Sequence, residues 1–337
     1  MNSGELIETV RALVGGDKGL LAMDESNPTC NKRFAALGIP QTEAFRRAYR
    51  ELIVTAPGLD ESISGAILFD ETIRQKTSGG KSFVEVLVAA GIIPGIKVDM
   101  GAKDMAGFPG EKVTQGLDGL PSRVQEYAKM GARFAKWRAV ITIDAAIPTE
   151  GCIDANAHLL ARYAAICQEA GLVPIVEPEV LMDGTHDLQR CLEVTGRVLH
   201  AVFDQLHIQR ILLEGMILKP NMVLPGKECP HQDDVQTVAD ATVRCFLRSV
   251  PAAVGGIAFL SGGQSGELAC VRLNAMTVRF ASKMPWPLTY SFSRAIQHPA
   301  LDIWSGHDAT LKAAQKSLLH RAKCSRAARH GKYSAEL

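Results

Sequence analysis

Short apolar, β-branched runs alternate with longer amphipathic stretches from one end of the chain to the other. The runs are GLLAMD (19–24), SGAILFD (64–70), IIPGIKVD (92–99), ARFAKWRAV (132–140), LVPIVEPE (172–179), EGMILKP (214–220), GGIAFLSGG (255–263) and PLTYSFS (287–293). Between them, positions 42–54, 122–132, 154–171, 186–206, 233–250 and 308–323 carry apolar residues at helical spacing. Strands that are apolar almost throughout, separated by amphipathic helices, predict a parallel sheet covered by helices. Eight such runs predict a closed (β/α)8 TIM barrel of the α/β class, and no glycine-rich dinucleotide fingerprint follows the first run to favour an open, doubly wound sheet. No linker or low-complexity tract interrupts the rhythm. The expectation is one barrel domain over 1–325 and a short, basic, loosely held tail over 326–337.

Composition narrows the class. Of 337 residues 47% are hydrophobic and 22% charged, enough apolar material for a large core. The 37 basic and 36 acidic residues leave a net charge of +1, which argues against a nucleic-acid or membrane-surface partner but allows a local basic pocket. The eight cysteines form no CxxC pair and read as reduced thiols. The N-terminus carries Glu5 and no apolar leader core, and the longest uncharged apolar stretch, 86–96, is short for a bilayer span, so a cytoplasmic location is expected.

Candidate chemistry gathers where the runs end, because the active sites of such barrels form at the C-terminal ends of the strands. Those ends read Asp24, Asp70, Lys97, Lys136, Glu177 with Glu179, Lys219, Ser261 and Ser291. One charged residue there only marks the chain leaving the core. Three lysines and several carboxylates at equivalent positions predict convergence, with the carboxylates offsetting the lysines. Lys219 follows Met216-Ile217-Leu218 and precedes Pro220; a free amine in such a place attacks a ketone to form a Schiff base, an electron sink for C–C cleavage. Glu177 and Glu179 share one face of a strand and suit proton transfer, although a structural ion pair capping the barrel explains the same residues.

Gly262 and Gly263 in SGGQSG, with Ser261, Ser291 and Arg294, form a candidate phosphate cradle. A second basic cluster joins Ser26, Thr29, Lys32 and Arg33 to Lys97 and Arg138. Two phosphate sites flanking a Schiff-base lysine predict an elongated, bisphosphorylated ketose as the small-molecule partner. The histidines are assigned no chemistry.

The blocks GLLAMDES, SGAILFDETI, PGIKVDMG, TQGLDGL, ARFAKWR, LARYAAICQEAGLVPIVEPE, LLEGMILKPNMV and FLSGGQS, in this order from Leu6 to Tyr333, resemble class I fructose-bisphosphate aldolase, with wording closest to plastid and bacterial members. The resemblance implies reversible cleavage of fructose 1,6-bisphosphate to dihydroxyacetone phosphate and glyceraldehyde 3-phosphate, with no metal and no cofactor. It implies that Lys219 is the Schiff-base lysine, Glu177 the acid/base of carbinolamine dehydration, Glu179 its supporting carboxylate and Lys136 the neighbouring lysine. Asp24 would take the C4-hydroxyl proton. The C1-phosphate would meet Ser261, Gly262, Gly263, Ser291 and Arg294, and the other phosphate Lys97, Arg138, Ser26, Thr29, Lys32 and Arg33. Arg46 also matches a substrate-binding position. A homotetramer is implied, and a plastid location only with a transit peptide that is not seen here.

Three departures from the family stand out. Ser293 replaces a usual glycine or alanine; if that position needs positive φ, serine costs about 1 kcal/mol or more. Thr29 replaces a serine of animal members. The family's mobile tail ending in tyrosine has no counterpart at Leu337, which reads either as truncation or as a different route of enamine protonation, and predicts slowed turnover with Schiff-base formation intact. The alternatives are a catalytically weak sugar-phosphate-binding or scaffold protein, given that tail, and another Schiff-base barrel such as a transaldolase, which the paired phosphate sites disfavour.

Overall fold

A computed structural model of the chain describes residues 3–334 and 336–337; Met1, Asn2 and Ala335, which the expected barrel and tail ranges take in, lie outside the described residues. Each predicted run overlaps a strand: β1 (Gly19–Ala22), β2 (Ile63–Leu68), β3 (Ile93–Lys97), then, after the hairpin β4 (Ala102–Asp104) and β5 (Lys112–Thr114), β6 (Phe134–Ile141), β7 (Val173–Val180), β8 (Ile217–Leu218), β9 (Ile257–Phe259) and β10 (Leu288–Phe292). At one end, β2, β6 and β7 each extend one residue past the run. The eight long-run strands close a barrel of parallel pairs in the order β1-β2-β3-β6-β7-β8-β9-β10, with β10 returning to β1. The expected (β/α)8 barrel is what the chain builds.

Strand parity organises this barrel. Successive side chains point alternately inward and outward, and the inward set packs as one cluster of Leu20, Ala22, Ile67, Phe134, Val173, Ile175, Ile217 and Ala258. Leu6, Val10, Leu13 and Val14, from the N-terminal helix Ser3–Val10 and the turn after it, join the same cluster and close the barrel's N-terminal end. The outward set, including Leu21, Ala66, Leu68, Ala135 and Val176, packs against the helices. Both faces are thereby buried, which is why the runs read as continuously apolar.

Strand and helix limits follow local chemistry. The 214–220 run yields only Ile217–Leu218 as strand, because Leu213–Gly215 forms a 3-10 turn and Pro220 has no N–H to continue the ladder. The helix predicted over 186–206 runs Leu188–Ile208, begun by the Asp187 carboxylate, which accepts from Arg190 N–H at 2.8 Å. The helix predicted over 308–323 continues through Leu311–Arg329 with Ser325 and Ala328 buried along it. The division expected after 325 therefore falls inside a helix: its basic residues alternate with small buried ones that pack on the barrel.

Candidate active site

The C-terminal ends of the strands surround a cavity of about 820 Å³. On each strand the side chain two positions beyond an inward apolar residue is also inward, and the apolar layer thus passes directly into a charged one: Ala22 to Asp24, Phe134 to Lys136, Ile175 to Glu177 and Ile217 to Lys219. All four charged side chains line the cavity and are buried. Lys219 is held in register by its N–H, which donates to Val176 O at 2.8 Å. Asn221 supports the same turn, accepting from Val180 N–H at 3.0 Å and donating to Thr195 Oγ1 at 3.2 Å.

Glu177 stands between the two amines, with Oε1 3.2 Å from Lys219 Nζ and Oε2 3.2 Å from Lys136 Nζ. Asp24 Oδ2 lies 2.7 Å from Lys136 Nζ. Burial alone would push the Lys136 ammonium below its ordinary value, but Asp24, Glu177 and Asp99 outweigh it and hold Lys136 above 10.5, firmly cationic. Burial likewise favours a neutral Asp24, yet the Lys136 and Lys219 charges prevail and keep its carboxyl below 3.8. Glu179 pairs with Arg138, and Asp99 joins Lys97 Nζ at 2.7 Å to the Arg138 backbone N–H at 3.2 Å.

Of the expected phosphate residues, Ser26, Thr29, Lys32, Arg33, Lys97, Arg138, Ser261, Gly262, Ser291 and Arg294 line the cavity. Gly262 and Gly263 have φ of +61° and +93°, a region that favours glycine and lets the loop turn its backbone toward the cavity. Gly263 is not among the residues lining the cavity; it stands next to Gly262, with the Arg294 guanidinium close by. Two expectations fail. Asp70, three positions beyond inward Ile67, is out of phase with it, so it leaves the barrel, starts a helix and accepts from Arg74 and the Tyr127 hydroxyl. Arg46 does not line the cavity; its guanidinium grips Glu71 at 2.7 and 2.6 Å and Asn31 at 3.0 Å. Through Glu71, which accepts from Asn27 at 2.9 Å, Arg46 braces the helix Asn27–Ala35 that carries Thr29, Lys32 and Arg33.

Glu25 is a site residue that sequence reasoning missed. Its carboxylate accepts from Arg33 at 2.5 Å, pairs with Arg50 at 2.7 Å and accepts from the Ser293 hydroxyl at 2.7 Å. This last contact explains the departure at 293: φ there is −107°, so no left-handed strain arises, and the hydroxyl ties the loop after β10 to the loop after β1. Burial would raise the Glu25 carboxyl, but Arg50 and Arg33 outweigh it and drive it well below 4.5. A carboxyl depressed on folding stabilises the fold above its unfolded value and loses that contribution as pH falls toward its folded one. Urea unfolding followed by far-UV circular dichroism is therefore expected to show a midpoint that declines below about pH 4.5, and Glu25→Gln is expected to flatten that decline. An identical slope in the variant would remove Glu25 from this role.

The described cysteines are free; seven are buried, and burial pushes the Cys152 and Cys270 thiols up to about 11, so they are poor nucleophiles.

The family model for class-I fructose-bisphosphate aldolase matches residues 5–337. The chain is 53% identical over 335 residues to the probable fructose-bisphosphate aldolase class 1 of Xanthomonas axonopodis pv. citri, covering 99% of each chain. It is 52% identical over 330 residues to the cytosolic fructose-bisphosphate aldolase 5 of Arabidopsis thaliana, covering 98% of this chain and 92% of that protein. A ternary co-crystal structure of fructose-bisphosphate aldolase from Plasmodium falciparum, in complex with TRAP and a small-molecule inhibitor, superposes with a TM-score of 0.96 at 47% identity, covering 98% of this chain and 96% of that one. With its barrel, its buried lysine pair and matches along nearly its whole length, the chain belongs to the class-I fructose-bisphosphate aldolase family.

Proposed function

We propose that this chain reversibly cleaves fructose 1,6-bisphosphate to dihydroxyacetone phosphate and glyceraldehyde 3-phosphate through a Schiff base on Lys219. The observation that carries the reading is Glu177 set 3.2 Å from both Lys219 Nζ and Lys136 Nζ inside a buried cavity flanked by basic loops. Glu177 takes a proton from Lys219, the freed amine attacks the C2 carbonyl, and the carbinolamine loses water as Glu177 returns that proton to the departing hydroxyl, leaving an iminium. Asp24 takes the proton of the C4 hydroxyl; the C3–C4 bonding pair passes into the iminium to form an enamine, and the aldehyde leaves. Protonation of the enamine at C3 and hydrolysis then release the ketone phosphate and regenerate the amine. Lys136, fixed as a cation by Asp24 and Glu177, stabilises the negative charge that develops on oxygen. Glu179, tied to Arg138, positions that arginine and backs the proton relay.

The Ser261, Gly262, Gly263, Ser291 and Arg294 loops suit the C1-phosphate, and Ser26, Thr29, Lys32, Arg33, Lys97 and Arg138 the other. In this reading Arg33 is shared, because Glu25 holds it near the loop after β10. The barrel and its C-terminal helix act as one catalytic unit, with the last residues as a short tail. A homotetramer and a cytoplasmic location complete the proposal; relatives that are bacterial or named cytosolic support the latter. Sedimentation at micromolar concentration tests the tetramer: a monomer would exclude it.

Borohydride reduction in the presence of dihydroxyacetone phosphate, followed by intact mass and peptide mapping, is expected to yield one covalent adduct, on Lys219. A folded, ligand-bound protein without that adduct would overturn the Schiff-base mechanism.

A further inference from the structure

Two loops that carry none of the assigned residues meet beside the glycine loop that follows β9. Residues 182–187 (MDGTHD) follow β7, and residues 225–228 (PGKE) follow β8. Three backbone hydrogen bonds join them: Gly226 N–H to His186 O at 2.7 Å, Lys227 N–H to Met182 O at 2.8 Å and Glu228 N–H to Gly184 O at 3.0 Å. Only glycine fits at 226, where a methyl group would lie 2.1 Å from Gly184 O. The ladder thus fixes the backbone from which the Lys227 side chain springs.

The ammonium of Lys227 rests on Asp183 at 2.9 Å, both side chains being exposed. A methyl group on Gly263 would lie 3.1 Å from Lys227 Nζ and 3.2 Å from Arg294 Nη2. Two cations on different loops therefore converge on one point over the glycine loop. Among the described residues no carboxylate forms an ion pair with Arg294; the Arg33 and Arg138 charges nearby add to its positive field, and the Glu179 and Asp183 carboxylates offset part of it. One exposed carboxylate is a weak partner for Lys227, whereas a phosphate brings nearly two negative charges and several acceptor oxygens.

We propose that Lys227 is a further substrate-binding residue, which leaves Asp183 to clamp, together with Arg294, the phosphate held at Gly262 and Gly263. This rests on the assignment of that loop to a substrate phosphate. It makes the Asp183–Lys227 pair a latch: the carboxylate occupies the lysine in the free protein and competes with the incoming phosphate.

The test compares the affinity of the intact chain for dihydroxyacetone phosphate with its affinity for dihydroxyacetone, both by calorimetry. Lys227→Gln is expected to weaken the phosphorylated ligand by about threefold to tenfold and to change the unphosphorylated one much less. Lys227→Arg is expected to recover most of the loss. Asp183→Asn is expected to shift the phosphorylated ligand the opposite way, tightening it by about twofold to threefold. A merely structural ion pair would make both Lys227→Gln and Asp183→Asn weaken binding alike, and that result would overturn the proposal, as would equal losses for the two ligands. Adduct mapping reports separately on Lys219: a wild-type chain without the adduct fails the catalytic reading, while the affinity ratio still decides on Lys227.

Discussion

Lys219→Met is expected to abolish ketose cleavage, lowering kcat by about five orders of magnitude, because no amine remains to form the iminium. The substitution keeps most of the length of the side chain and an unbranched apolar stem in a buried position. It removes one of the two amines facing Glu177, but Lys136 remains 3.2 Å from that carboxylate and 2.7 Å from Asp24, so the buried charges stay paired. The fold and the cavity are therefore expected to survive, with an unchanged far-UV spectrum. Steady-state cleavage of fructose 1,6-bisphosphate and borohydride trapping check this together. Retention of more than a hundredth of wild-type turnover would mean that another group carries the chemistry, and Lys136 would be the first to examine.

Glu177→Gln is expected to reduce kcat by about 10²- to 10⁴-fold while substrate still binds. The carboxamide occupies the same volume but cannot pass a proton to the departing carbinolamine hydroxyl. The expected signature is a loss of borohydride-reducible adduct larger than any loss of ligand affinity, since borohydride reduces the iminium and not the carbinolamine. Glu179→Gln serves as the contrast. That carboxylate is engaged by Arg138, one strand position pair further along, and its loss is expected to cost no more than about tenfold. A Glu177 variant with turnover within threefold of wild type would return this residue to the structural role of a cap on the barrel.

These expectations depend on a pattern much of which was legible in the linear chain. The alternation of apolar runs and amphipathic stretches marks all eight barrel strands, because a strand buried on both faces has no polar position to spare. The hairpin β4–β5 was not legible: three residues on each strand, mostly polar, leave no hydrophobic period. Lys136, Glu177, Lys219 and Asp24 stand out in sequence because each charge interrupts or ends an apolar run. Asp70 ends a run just as they do, yet it faces outward. Strand-end position alone does not distinguish them; the phase relative to the inward residues does, and Ile67 within β2 sets that phase.

Arg46 and Glu25 show the limit from the other side. Arg46 matches a binding position in sequence but is consumed by Glu71, twenty-five residues away. Glu25 looks like a neighbour of Asp24 with no task of its own, and its partners Arg50, Arg33, Gln297 and Ser293 come from three helices and the loop after β10. The serine at 293 is uninterpretable until that carboxylate is found opposite it.

The barrel, its eight strands and the charges at their ends are legible in the linear chain, because hydrophobic periodicity is a local property. Which of those charges meet is set only by the folded barrel. Whether Glu177 faces one amine or two, whether Arg33 is tied through Glu25 to the loop after β10, and whether Lys227 and Arg294 converge on Gly263 all depend on distances of a few ångströms between segments far apart in the chain. Electrostatic interaction and proton transfer fall off over those same distances, and no spacing along a sequence encodes them.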